Sequence, residues 1–341
     1  MHRLTSRKIH ALLIIIAVLL LVIASTFVIN PLQHSQAKVL HTTTPASGCG
    51  TRPPITPGNS ANETIVSGGL KRMYRLHVPL DYRTFVKHTL VLNFHGHGSN
   101  ALTQERLTGM SRLADQDTFL VAYPQGTIGP DGRTGWNTGP WNYPHVDDIG
   151  FTNDLITQVE ATFCVNPQSI YATGFSNGGG FTNVLACKLA SRIAAFAIVS
   201  GGMHPVSGGC QVAQPVPLLE IHGTADRTVP YNGNPANDSE PPLQQWLKGW
   251  ARRDGCAPTP SIFLRQQRVL GERWSACKGN VTITHYRITG GVHTWPRITS
   301  SKPNADGNVL DATKVVWQFF KNESASLPGV QIEAGKGSKD V

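Results

Sequence analysis

The feature that most restricts the fold of this 341-residue chain is the pentapeptide Gly174-Phe175-Ser176-Asn177-Gly178. It lies between an apolar stretch, Ser169 to Thr173, and a run that reads as a helix over 177–191. A serine between glycines at this spacing suits a sharp strand-to-helix turn. The small residues let the turn pass close to its neighbours. The hydroxyl then points out at the top of a sheet, near the positive end of the following helix. Five residues of this kind also recur by chance as a plain Gly/Ser turn, so the strand before and the helix after carry the weight.

Such a turn needs a sheet, and the chain supplies one. Strands are expected at 72–79, 88–94, 118–123, 168–174, 194–200, 217–222, 262–268 and 281–288, with helices at 101–115, 151–163, 177–191, 243–252 and 309–321. In the helix at 151–163, Phe151, Leu155, Val159 and Phe163 recur every four residues and mark one apolar face. Strands alternating with amphipathic helices predict a mostly parallel sheet covered on both faces. The Gly- and Trp-rich stretch 124–149 is too long for a plain connection and is expected to border a site.

A serine hydroxyl is a poor nucleophile without a base, and the base needs an orienting acid. In a sheet of this kind the order along the chain is Ser, then Asp or Glu, then His. Asp226 follows the strand at 217–222 within His222-Gly223-Thr224-Ala225-Asp226. Asp238 and Asp254 follow no parallel strand. His293 follows the last strand in Gly290-Gly291-Val292-His293, where paired glycines let the loop curl toward Ser176. The strand at 88–94 ends in His95-Gly96-His97-Gly98, which matches the glycine-rich loop after the third strand of α/β-hydrolases. The backbone N–H groups of His97 and Asn177 are therefore the expected oxyanion donors. His95 is expected to brace this loop through its ring nitrogens. The His-x-His pair has no third ligand nearby, so no metal is expected.

Ahead of this domain, Arg3, Arg7 and Lys8 precede a run of 19 residues without a charge, Ala11 to Ile29. A basic region followed by an apolar one is an export signal. Residues 1–37 read as a signal peptide cut after Ala37, or as a signal anchor long enough to span a bilayer. Residues 38–60, rich in Thr, Pro, Gly and Ser, read as a flexible linker, 61–325 as the catalytic domain, and 326–341 as a disordered tail. The six cysteines form no C-x-x-C pattern, which favours structural disulfides in an oxidising compartment. Six cysteines permit 15 pairings, among which sequence alone does not choose. Cys256 with Cys277 leads, since both lie in one short insertion, and Cys187 with Cys210, leaving Cys49 with Cys164, comes after it. The net charge of +9 comes without Lys/Arg runs or a nucleic-acid-binding motif, so no DNA or RNA partner is expected.

The motifs together resemble the secreted esterases that include feruloyl esterases, acetylxylan esterases and polyhydroxybutyrate depolymerases. The resemblance rests on SGCG at 47–50, LNFHGHGSN at 92–100, VDDIGF at 146–151, YATGFSNGGG at 171–180, HGTADRTVPYNG at 222–233 and GGVHTWP at 290–296. It implies an α/β-hydrolase fold, a Ser176–Asp226–His293 triad, no metal and no organic cofactor. Feruloyl or acetyl esters of plant wall polysaccharide are the expected substrates, handled by a secreted or surface-anchored monomer whose only membrane contact is the N-terminal segment. Trp136, Trp141, Tyr143 and Trp295 are the aromatics that would grip a phenolic acyl group. A polyhydroxybutyrate depolymerase is the alternative. A serine peptidase of related fold and a non-catalytic binding protein stand further off.

Overall fold

The computed structural model describes residues 47–139, 146–234, 240–298 and 309–325. The first half of the domain comprises β1 (Asn59–Ser67), β2 (Leu70–Val78), β3 (His88–Phe94), α1 (Ala101–Thr108), α2 (Met110–Asp117), β4 (Leu120–Pro124) and the short pair β5 (Thr127–Ile128) and β6 (Thr134–Gly135). Then come α3 (Asp148–Thr162), β7 (Val165–Phe175), α4 (Asn177–Lys188), β8 (Ala195–Val199) and β9 (Leu218–Gly223). The chain continues through α5 (Leu243–Arg253), β10 (Ser261–Gln266), β11 (Val269–Trp274), β12 (Ile283–Ile288) and α6 (Ala312–Ala325).

Strands that are apolar at successive positions cannot leave either face in water. LVAYP in β4, AFAIV in β8 and LLEIHG in β9 are buried at every residue. Among the described residues, ten strands form one sheet in the order β1-β2-β4-β3-β7-β8-β9-β12-β11-β10. The six central strands, β4 to β12, pair in parallel, and the two at each side are antiparallel. Period-two alternation divides the core. Leu90, Leu92, Phe94, Ala172, Phe196 and Ile198 pack with α3, α4 and α5 on one face. Val91, Val121, Tyr171, Ala197, Val199 and Ile221 pack with α2 and α6 on the other. Helices thus cover both faces, as expected.

The departures are local. The single helix expected over 101–115 is two, because Gly109 caps α1 in the left-handed region at φ 61°. Four strands were not expected, β1, β11 and the two-residue pair β5 and β6. β1 is a polar, half-exposed edge strand, and β11 returns antiparallel to β10 after the turn at Gln267 and Arg268. The linker expected over 38–60 enters the fold from residue 47 onward. Gly48 N–H donates to the Glu160 carbonyl (2.9 Å), Gly50 N–H to that of Thr84 (2.7 Å), and β1 begins at Asn59. The segments 1–37 and 326–341 lie outside the described residues. Among the described residues, no helix is long and apolar enough to cross a membrane.

All three expected disulfides are formed, Cys49–Cys164, Cys187–Cys210 and Cys256–Cys277. Cys187–Cys210 ties α4 to the loop after β8 across a separation of 23 residues. A loop of that length restricts the unfolded chain by about 3 kcal/mol. Replacing both cysteines by serine should lower stability by about that much in denaturant unfolding.

Candidate active site

Ser176 stands between β7 and α4 at φ 55°, ψ −119°, a conformation that side chains other than glycine rarely adopt. Strain of this order persists only where the surroundings impose it. Here the Ser176 N–H donates to the Val199 carbonyl (3.1 Å), and the Ser176 carbonyl accepts from Gly180 N–H (2.9 Å). The flanking glycines are required by close approach. A Cβ on Gly174 would lie 2.3 Å from the Gly178 oxygen, and one on Gly178 only 2.2 Å from the Phe94 oxygen. Ser176 remains half-buried.

Asp226 and His293 come from different loops, after β9 and β12, and meet. His293 Nδ1 lies 2.8 Å from Asp226 Oδ2. The imidazole, 18% exposed, also stands 4.9 Å by ring centroids from Phe175, the residue before the serine. The two loops are locked by the Ala225 N–H bond to the Gly291 carbonyl (2.9 Å) and the Gly290 N–H bond to Thr224 Oγ1 (2.8 Å). The other oxygen of Asp226 accepts from the N–H groups of Thr228 (2.9 Å) and Val229 (2.8 Å). Burial acts to raise the pKa of this carboxyl, yet the bonds from His222, His293 and the Val229 amide hold it well below the usual carboxylate range. Asp226 is thus an anion aimed at Nδ1, which leaves Nε2 of His293 as the basic nitrogen.

The 95–98 loop lies against the serine: a Cβ on Gly96 would be 3.3 Å from that of Ser176. His97 pairs through its Nε2 with Asp131 Oδ2 (2.9 Å), which fixes the residue whose amide was expected as a donor. Asn177 has a part that sequence reasoning missed. Its side chain accepts from Trp136 N–H (2.8 Å) and donates to the Trp136 carbonyl (3.2 Å) and to Thr138 Oγ1 (3.1 Å), clamping the elbow to the segment after β6.

His95 braces the loop as expected. Its Nε2 accepts from Gly126 N–H (2.9 Å), while Nδ1 donates to the Gly96 carbonyl (2.8 Å). Burial pushes its pKa down to about 4 from 6.5. The folded ring is neutral where the unfolded ring takes a proton. Its contribution is therefore intact above about pH 6.5 and lost as the pH falls toward 4, by about 3 kcal/mol. Urea unfolding across that window should show the decline, and His95→Gln should flatten it.

The aromatic expectations need correction. Trp136 is fully buried, stacked on Phe181 (5.2 Å) with its Nε1 donating to the His95 carbonyl (2.9 Å). It has no open face for an acyl group. Trp295 is 2% exposed and donates to Thr313 Oγ1 (2.9 Å) on α6, so its ring belongs to the core. Trp141 and Tyr143 lie outside the described residues. Among the described residues, no three His, Cys, Asp or Glu side chains are grouped to hold a metal.

No family model matches the chain. Curated relatives do. The chain is 34% identical over 247 residues to feruloyl esterase B of Piromyces equi, covering 69% of this chain and 42% of that protein, less than half its length. It is 30% identical over 233 residues to a probable feruloyl esterase C of Aspergillus niger, covering 61% of this chain and 81% of that protein. Among solved structures, an acetyl xylan esterase from Aspergillus awamori superposes with a TM-score of 0.54 at 16% identity, over 70% of this chain and 95% of its own. That likeness is one of fold, and the fold is that of the α/β-hydrolases.

Proposed function

We propose, from the premise that this chain belongs to the family of feruloyl and acetylxylan esterases, that it is an exported serine carboxylesterase acting on feruloyl or acetyl esters of plant wall polysaccharide. The observation that carries this reading is the 2.8 Å contact of His293 Nδ1 with Asp226, with the ring of His293 against the residue that precedes a strained serine.

In the mechanism this supports, Ser176 Oγ attacks the ester carbonyl while His293 Nε2 takes its proton. Asp226 keeps the imidazole oriented and stabilises the imidazolium. The amides of His97 and Asn177 receive the oxyanion at the start of α4, where backbone N–H groups converge. Collapse of the tetrahedral adduct breaks the ester C–O bond, and His293 gives its proton to the leaving alcohol. Water, deprotonated by His293, then attacks the acyl-serine and frees the acid. Export is supported by the three disulfides, which persist outside reducing compartments, and by the basic-then-apolar N-terminal sequence.

The test compares hydrolysis of methyl ferulate, acetylated xylan and a 3-hydroxybutyrate oligomer by the purified protein, with Ser176→Ala as blank. Turnover of the ferulate or acetyl ester, lost in the blank, supports the reading. Turnover confined to the hydroxybutyrate oligomer would move the substrate to polyhydroxyalkanoates. Inactivity of the folded protein on all three would refute the esterase reading.

A further inference from the structure

Beneath Asp226 lies a second histidine. His222 is in β9, and its side chain and those of Glu220 and Asp226 are all buried. Its Nδ1 is 2.9 Å from Glu220 Oε1. Its Nε2 is 2.9 Å from the Val229 carbonyl oxygen and 3.3 Å from Asp226 Oδ2, the oxygen that also meets His293. Around ionised carboxylates every one of these neighbours is an acceptor. Both ring nitrogens must then carry hydrogen, and such a ring is a cation.

The partners of Glu220 agree with this polarity. Gln244 Nε2 donates to the Tyr231 hydroxyl (2.9 Å), so that hydroxyl gives its own proton to His285 Nε2 (2.9 Å). His285 then donates through Nδ1 to the Glu220 backbone carbonyl (3.3 Å), with the same nitrogen 2.7 Å from Glu220 Oε2. The Glu220 carboxylate thus accepts from His222 through Oε1 and lies against His285 through Oε2. Burial works against its charge, yet His222 and His285 keep its pKa below the ordinary value. Burial also works against the charge on His222, but Glu220 and then Asp226 raise its pKa to about 10. The other groups toward this cluster are the Tyr231 ring, edge-on to His222, from β12 the register partners His285 and Arg287, and from β11 Glu272, opposite His285, whose Oε2 accepts from Gln244 Nε2 (3.1 Å) and whose charge offsets that of Arg287; β8 places Ile198 opposite Glu220.

We propose that His222 is a positioning residue for the triad, an imidazolium wedged between Glu220 and Asp226 that holds Asp226 in line with His293 and sets the pH at which His293 can accept a proton. This rests on the triad reading above. Two buried carboxylates and one imidazolium leave a single net negative charge under His293. Negative neighbours favour the protonated form of an imidazole. Removing the His222 charge makes the site more negative and should raise the pKa of His293. Removing the Glu220 charge makes it less negative and should lower it, because at acid pH Asp226 and the Val229 carbonyl still keep His222 charged. A purely structural role would weaken activity without opposite shifts.

The readout is the pH dependence of the rate at which an alkyl fluorophosphonate reacts with Ser176 in the full chain, which needs no natural substrate. His222→Gln should move the acid limb up by about one pH unit, Glu220→Gln should move it down by a similar amount, and the double variant should return it toward wild type. Circular dichroism and thermal melting report folding. If His222→Gln does not fold, Glu220→Gln carries the test alone: a downward shift supports the assignment and an unmoved limb overturns it. Shifts in the same direction, or none, overturn it while normal labelling of the wild type leaves the triad standing. A wild-type Ser176 that does not react at all, or equal labelling of Ser176→Ala, would overturn the triad reading and this inference with it.

Discussion

Asp226→Asn should lower ester turnover by about 10⁴-fold in a protein that still folds. The carbonyl oxygen of the new amide can keep the bonds from the Thr228 and Val229 N–H groups. The amide nitrogen then replaces Oδ2, where His293 Nδ1 at 2.8 Å and His222 Nε2 at 3.3 Å both present hydrogen. Donor would face donor. His293 relieves the conflict by carrying its proton on Nε2 instead, which leaves no lone pair for the serine. The loss should fall in kcat rather than in KM, because the Asp226 side chain is fully buried. A steady-state comparison on the best substrate of the panel checks this, and a loss below tenfold would show that Asp226 is not the orienting acid.

Gly178→Ala should damage stability and turnover together through a single methyl group. The added carbon would lie 2.2 Å from the Phe94 oxygen and 2.5 Å from the His95 oxygen, and both are backbone atoms at the end of β3. Neither can rotate away, so the elbow and the 95–98 loop must part. Overpacking of this kind costs about 1–3 kcal/mol. A displacement of about 1 Å between the serine and its oxyanion donors costs about 100-fold in rate. Melting temperature and turnover should therefore fall together. Normal activity in Gly178→Ala would mean that the two backbones separate freely, contrary to their packing.

The parts of this site that were legible in the sequence are those whose constraint is local. Ser176 was readable because five residues state the turn and its flanks state the sheet. Asp226 and His293 followed from chain order and from the glycines beside them. What was hidden depends on which side of the sheet a residue faces. Trp136 and Trp295 stand near the motifs, yet nearness along the chain does not say that both rings turn into the core. β1 and β11 escaped notice because strands toward the sides of a sheet mix polar and apolar residues. Glu220 and His222 left a signal that went unread: two ionisable residues at period two within a strand otherwise fit for burial. Charged residues in such a place need partners: the two pair with each other, and His222 reaches on to Asp226.

The Cys49–Cys164 bond fastens the entering chain just before β7, and Ser176 directly follows the far end of that strand. Eleven residues of strand separate floor from mouth by roughly 35 Å. A carrier joined directly at residue 47, in place of the segment before it, would therefore enter the domain at the base of the sheet. An enzyme immobilised on a bead or fused to a carrier through this end would present its catalytic rim outward, toward a polymer too large to diffuse to it.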